Sequence, residues 1–245
     1  MELNKQTIKS GSLSPNVTTA LFIFFCAMVI TAGYGQRSGD TQSKVRQPSL
    51  IWSFTAGPIV SSPVISDGLV FFGSEDSTWY ALDVKSGKVK WKLRTGAPIR
   101  STPAISGNRI FLAGGNGVLA CADKATGTVQ WRIAFDQTAR FMGERSYDFA
   151  DYYHASPVVS NGVIYFGSGN GVLGAYRADD GTMLWRYTAG DIIHCGPIIA
   201  ADHVIVGSLD GQVHAVNRNT GLAIWKFKTI GHQYFPKGEV QGQMA

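Results

Sequence analysis

The chain has 245 residues, 44% of them hydrophobic and 16% charged, which is enough for one sizeable core and unlike a disordered chain. Its net charge of +5 is small and no Lys/Arg run stands out, so nucleic acid is not an expected partner. Three cysteines at unrelated positions make no disulfide framework.

In chain order, residues 1–35 read as an export signal. Lys5 and Lys9 supply a positive start, Ala20 to Ala32 an apolar run, and Gly33 and Gly35 the small residues a signal peptidase accepts before Gln36. The alternative is an uncleaved anchor. The apolar run is short for a span of about 20 residues, but Val17 to Gly33 stretches toward one, and it would be the chain's only contact with a membrane. Cys26 follows Phe24 and Phe25, where a lipobox wants small residues, and leaves with the signal. The mature chain is expected in the periplasm or cell envelope, with residues 36–50 as a linker.

From residue 51 onward the sequence repeats itself. Taking Pro63, Pro103, Pro157 and Pro197 as origins, a tryptophan stands twenty-eight residues on (Trp91, Trp131, Trp185, Trp225) and a glycine twenty-four on (Gly87, Gly127, Gly181, Gly221). Asp76-Ser77, Asn116-Gly117, Asn170-Gly171 and Asp210-Gly211 fall between them, followed by a small residue: Ala81, Cys121, Ala175 or Ala215. Asn-Gly and Asp-Gly tolerate positive φ, so this dipeptide joins two antiparallel strands. The runs before it are β-rich, as in Leu69–Phe72 and Val163–Phe166, and a second run ends near Asp83, Asp123, Arg177 and Asn217. The tryptophan sits in a last strand, and the Pro-containing strand makes four per unit of about 40 residues, which is one propeller blade.

The expected fold is therefore all-β: a β-propeller of four-stranded antiparallel blades. Complete blades are expected at 58–95, 98–135, 154–189 and 192–229, with a partial blade at 238–245. Each tryptophan is expected to pack between neighbouring blades. Cys121, in the small-residue column, reads as a small buried hydrophobe. Cys195 reads as part of a first strand two blades away, so a bridge between them is not expected. Trp52 reads as a last strand without its preceding strands, and its removal is expected to cost less than that of Trp131.

The repeat slips twice. After Trp131 about fourteen extra residues carry Phe141, Glu144, Arg145, Tyr147, Asp148, Asp151, Tyr152, Tyr153 and His154. After Trp225 come His232, Tyr234, Phe235, Lys237 and Glu239. Both slips lie between the outer strand of one blade and the inner strand of the next, connections that gather on one face. Loops on a rigid scaffold are where binding residues are placed, and this aromatic and acidic content suits a sugar, peptide or cation. Packed surface loops are the alternative. Three residues before each origin come Val60, Arg100, His154 and His194, which ring the channel entrance if the strands register alike. The candidate ligand or partner residues are Arg100, Asp148, Asp151, Tyr152, His154, His194, His232 and Tyr234. Metal binding needs several His or carboxylates to converge, and none is predicted.

The spacing Ala-x-Asp-x-x-x-Gly-x-x-x-Trp resembles the tryptophan-docking motif of the pyrroloquinoline-quinone (PQQ) repeat family. Ala81, Asp83, Gly87 and Trp91 match it in full. Asp123, Gly127 and Trp131 match with Cys121 for Ala; the third and fourth units depart with Arg177 and Asn217 for Asp. The resemblance covers residues 51–245. It implies a propeller, usually of seven or eight blades, so this chain reads as a truncated ring whose missing blades come from a longer chain. The family includes quinoprotein dehydrogenases, the outer-membrane β-barrel assembly lipoprotein, and exported PQQ-binding-like repeat proteins, to which this chain is most similar.

The expectation is an exported, non-catalytic module that recognises an envelope protein partner or a small ligand on its loop-insertion face. The alternative is a fragment of a PQQ-dependent dehydrogenase-like quinoprotein, which would bind PQQ. The resemblance implies for such enzymes an adjacent Cys-Cys pair over the quinone, Ca²⁺-ligating carboxylates and an Asp base. This chain has no Cys-Cys, no C-x-x-C-H, no hydrolase elbow, no P-loop and no H-E-x-x-H. No catalytic residue and no cofactor are therefore predicted.

Overall fold

The computed structural model describes residues 49–115, 117–135 and 155–229. The export signal, most of the linker, the loop residues Asp148, Asp151, Tyr152, His154, His232 and Tyr234, and the 238–245 partial blade lie outside them. The described chain forms sixteen strands in four antiparallel sheets, each with its strands in sequence order. The first blade is β1 (Val64–Ser66), β2 (Leu69–Ser74), β3 (Thr78–Asp83) and β4 (Val89–Arg94). The second is β5 (Ala104–Ser106), β6 (Arg109–Gly114), β7 (Val118–Asp123) and β8 (Val129–Ala134). The third is β9 (Val158–Ser160), β10 (Val163–Gly167), β11 (Val172–Arg177) and β12 (Met183–Thr188). The fourth is β13 (Ile198–Ala200), β14 (His203–Gly207), β15 (Gln212–Asn217) and β16 (Ala223–Lys228).

The sequence of each strand follows from its place in the blade. The second strands are sandwiched between neighbouring sheets, so β2 is buried from Val70 to Ser74 and reads as a nearly unbroken apolar run. The outer strand β4 alternates, with Trp91 inward and Lys90, Lys92 and Arg94 outward. Cations along an outer edge deter pairing with another chain. Each origin proline stands immediately before the first strand rather than inside it, since β1, β5, β9 and β13 begin one residue later. Lacking an N–H, proline contributes nothing to a ladder and suits the step into one. Cys195 likewise precedes β13.

Ala81, Cys121, Ala175 and Ala215 lie directly opposite the tryptophans of their own blades, and the register slips by one residue immediately afterwards in all four. This bulge turns the outer strand locally, and the small residue leaves the ring room to cross to the next blade. There the indole meets a fixed receptor. Trp91 Nε1 donates to Lys124 O at 2.9 Å, Trp131 to Ala178 O at 3.2 Å and Trp185 to Arg218 O at 2.8 Å. Three residues beyond each accepting carbonyl is the repeat glycine. A methyl group on Gly127 would lie 2.6 Å from the Trp91 ring, and one on Gly221 2.7 Å from Trp185. The glycine thus serves twice: it takes φ near +70° in the turn and offers a flat platform to the preceding blade.

Trp52 departs from expectation. It donates to Val84 O at 2.7 Å and lies on Gly87, the same docking made by the others. With Phe54, Ala56 and Ile59 it covers Val70, Phe72 and Leu82 of the first blade. The exposed tryptophan is instead Trp225, at 41%, and no described residue receives it.

The inner ends of the blades are linked as well. Ser62 N donates to Thr102 Oγ1 and Thr102 N to Ser156 Oγ, joining blades one, two and three. Within blades, Ser61 Oγ bridges to Gly73 and Ser101 Oγ to Ala113 O. Cys195 replaces that serine in the fourth blade, its Sγ accepting from Gly207 N at 3.1 Å.

Candidate functional site

The connections from an outer strand to the next inner strand share one end of the blades with the β2–β3 type hairpins. Those hairpins close with the backbone N–H of Ser77, Gly117, Gly171 or Gly211 donating three residues back. Asp76, Asn170 and Asp210, at the preceding position, are therefore held at that end. Arg100, on the β4–β5 connection, reaches back to the first blade's hairpin and pairs with Glu75 through Nε at 2.7 Å. Both side chains are about a quarter exposed, so the pair is available to solvent while its geometry is fixed. Val60 is exposed and His194 half-buried. Of the sequence-predicted ligand residues, Arg100 and His194 are the two within the described chain.

A second constellation was not foreseen. In the fourth blade Asp210 accepts from His214 Nε2 at 3.1 Å, and His214 Nδ1 shares a hydrogen bond with Tyr187 OH of the third blade at 2.9 Å. His214 is fully buried. Asp210 also accepts from Gln212 N and Gly190 N. Burial pushes its carboxyl up, but the bonds from His214 and Gln212 outweigh that and hold it below the usual carboxylate value. The first blade has a shorter version. Tyr80 OH donates to Asp76 Oδ2 at 2.7 Å, and Gly57 N reaches the same oxygen. Asp76 is likewise lowered, burial opposing and Tyr80 and Gly57 prevailing.

The sequence contains a signal for both. Asp76 and Asp210 occupy one repeat column, and four residues later stand Tyr80 and His214; the other two blades carry Asn116 with Ala120 and Asn170 with Gly174. An acid is present where a hydrogen-bonding partner is present, and an amide where the partner is Ala or Gly. In both cases the acid ties an entering loop to the hairpin below it.

Cys121 and Cys195 lie in different blades, both buried and unbridged. Burial pushes the Cys121 thiol up to about 11 and raises that of Cys195, so neither is a thiolate at neutral pH. Among the described residues no three His, Cys, Asp or Glu converge as a metal ligand set.

The sequence model of the family described as outer membrane protein assembly factor BamB matches residues 29–151 and 116–241. No curated protein sequence matches the chain. Among solved structures, BamB from Moraxella catarrhalis superposes with a TM-score of 0.56 at 18% identity, over 73% of this chain and 67% of that one. Quinohemoprotein alcohol dehydrogenase ADHIIG from Pseudomonas putida HK5 superposes at 0.57 and 18% identity, over 70% of this chain and 34% of its own. The corresponding enzyme from Comamonas testosteroni gives 0.55 and 16%, over 70% and 35%. The chain spans about a third of the length of those dehydrogenases, and at these identities the likeness is one of fold. With the family match running across all four blades, the chain belongs to the PQQ-like β-propeller repeat family of the outer membrane protein assembly factor BamB.

Proposed function

We propose that this chain is an exported, non-catalytic scaffolding module of the cell envelope, and that it holds a protein partner against the loop end of its blades. The observation that carries this reading is the fixing of that end. Arg100 is pinned to Glu75, and Asp76 and Asp210 each clamp an entering loop. The result is a rigid polar surface, with its costs of ordering already met before a partner arrives. The family match to an assembly factor supports a protein partner. The buried, widely separated thiols support a role without quinone chemistry. In this reading Arg100 and His194 contribute contacts directly, together with Asp148, Asp151, Tyr152, His154, His232 and Tyr234 from the inserted loops.

The test is affinity capture from solubilised envelope with the full chain as bait, beside an Arg100→Ala variant. Outer-membrane barrel-assembly proteins should be retained by the parent and several-fold less by the variant, since charged interface anchors are enriched in binding energy. Quinone absorbance in the purified chain, with dye-linked alcohol oxidation, would replace this reading with the dehydrogenase one.

A further inference from the structure

Every charged residue in the four outer strands, β4, β8, β12 and β16, is a lysine or an arginine. The bulge of each blade falls in that strand, and the residue it leaves unpaired is the one before the tryptophan: Lys90, Gln130, Leu184 or Ile224. All four are exposed. A bulge leaves its extra residue out of the ladder, so pairing and packing make no demand on this position. The first two blades fill it with polar side chains, as an exposed site invites. The last two fill it with Leu184 and Ile224, each 46% exposed.

Two more exposed apolar side chains stand beside these. Three residues before the tryptophan, Lys88, Thr128 and Thr182 give way in the fourth blade to Leu222, and two residues before it the third blade exposes Met183. The two outer strands meet across their seam, where Lys226 Nζ stands over the Tyr187 ring. Among the described residues, the cations of these strands, Arg186, Lys226 and Lys228, have no carboxylate at ion-pair distance. Asp179 and Asp180, in the turn leading into β12, are taken by Arg109 and Arg177. The turn leading into β16, residues 218–222, contains no acid.

We propose that the outer edge of the third and fourth blades is a docking surface for an anionic phospholipid membrane. Leu184, Ile224, Met183 and Leu222 enter the boundary between headgroups and acyl chains, and Arg186, Lys226 and Lys228 lie on the lipid phosphates. Charge alone would serve a soluble polyanion equally well. Exposed aliphatic side chains gain nothing from such a polymer, but they leave water at a bilayer. Trp225 is not counted in this surface, because its column docks on neighbouring blades. The apolar residues stand at the start of β12 and β16, the end of each outer strand remote from the hairpins and connections of the partner surface. Failure of this proposal therefore leaves the scaffolding reading intact.

The experiment follows the methyl resonance of Met183 in the full chain, labelled at its methionine methyls and assigned by its loss in Met183→Leu. Nanodiscs doped with a headgroup-spin-labelled lipid are added, made of phosphatidylcholine alone or of phosphatidylcholine and phosphatidylglycerol in equal parts. This reads contact at the patch itself, however the N-terminal apolar run is disposed. The anionic discs should attenuate the resonance roughly fivefold more than the neutral ones. Arg186→Gln/Lys228→Gln should abolish most of that preference. Lys90→Gln/Lys92→Gln, the same loss of charge on the first blade, should leave it in place. Leu184→Ser/Ile224→Ser should weaken it several-fold at unchanged charge. All the altered side chains are exposed, and an unchanged melting curve shows the fold intact. Equal attenuation by both discs, an equal loss in the first-blade variant, or an undiminished response in Leu184→Ser/Ile224→Ser would each overturn the proposal, the last in favour of a soluble polyanion.

Discussion

Trp91 and Trp225 occupy the same position in their repeats, yet Trp91 is 8% exposed and Trp225 41%. Both sit opposite a small residue, after the same bulge and beside a basic residue. What differs is the neighbour. Trp91 finds Lys124 O and the bare face of Gly127 in the second blade, and Phe71 at 5.8 Å in its own. Trp225 has no such receptor among the described residues, and Leu222, Ile224 and Phe227 stand exposed around it. The contrast teaches that the motif has two halves in two blades. The tryptophan is a ligand; the glycine, with the carbonyl three residues before it, is the receptor.

The largest expected effect tests that division directly. Replacing Trp91 with Ala should cost about 3–5 kcal/mol, the range for deleting a large aromatic from a core. The same change at Trp225 should cost under about 1 kcal/mol, as for an exposed site. Urea denaturation of the two variants decides it, and equal losses would break the comparison. Trp52→Ala should resemble Trp91→Ala rather than Trp225→Ala, because Trp52 is docked.

The receptor half is tested next. Gly127→Ala places a methyl 2.6 Å from the Trp91 ring at φ +73°, whereas Gly107→Ala, at φ +57°, meets open space. The second change should cost only the left-handed backbone penalty, about 1–2 kcal/mol. The first should cost that plus displacement of the indole, and should also raise the solvent quenching of Trp91 fluorescence. Equal melting temperatures for the two variants would mean that the glycine serves the turn alone.

A smaller effect concerns acid. Asp83 accepts from the Ser86 hydroxyl and backbone N–H, and Asp123 from the backbone N–H and hydroxyl of Thr126; these bonds hold both carboxyls below their ordinary value. A carboxyl depressed in the folded state contributes stability above its unfolded value near 4, and that contribution is lost as pH falls through the folded value. The fourth blade makes the same turn with Asn217, whose Oδ1 accepts from Thr220 N and Oγ1 and does not titrate. In the Asp83→Asn/Asp123→Asn variant the fall in melting temperature between about pH 4 and pH 2 should therefore be shallower. An unchanged acid slope would show that these turns do not carry it.

The smallest expected effect is at the seam of the third and fourth blades, where Lys226 Nζ stands 6.0 Å from the centre of the Tyr187 ring. Lys226→Ala should cost about 0.5 kcal/mol, as for an exposed cation–π contact, and a double-mutant cycle with Tyr187→Leu should recover it.

Much of this was readable before any coordinates, because a repeat makes each column an independent observation. Turn residues fixed the hairpins, β-rich runs fixed the strands, and four tryptophans in register fixed the blade. The departures were readable too, in part. Asn217 for Asp83 is harmless because the turn needs only an oxygen. Arg177 breaks the column, and Asp180 there accepts from Thr182 N as the Ser86 hydroxyl accepts from Lys88 N in the first blade. What columns hide is which blade a side chain serves. Trp52 looked like the weak member because it lacks strands of its own, yet its energy comes from the strands it docks upon. Asp210, His214 and Tyr187 lie across two repeats, so no single repeat displays them, although the covariation of Asp with Tyr or His within the column points to the acid's partner.

By itself the sequence determined the local structure: β-rich runs, left-handed turns at the repeat glycines, a small residue in register with each tryptophan, and hence four-stranded blades. These follow from short-range sterics and hydrogen bonding, which recur identically at every repeat. Only the tertiary structure decided the rest: that each glycine is a platform for the preceding indole, that Trp52 is docked and Trp225 exposed, and that Lys226 of the fourth blade stands over Tyr187 of the third. Those depend on which blade stands beside which, a long-range placement that a column of like residues carries no mark of.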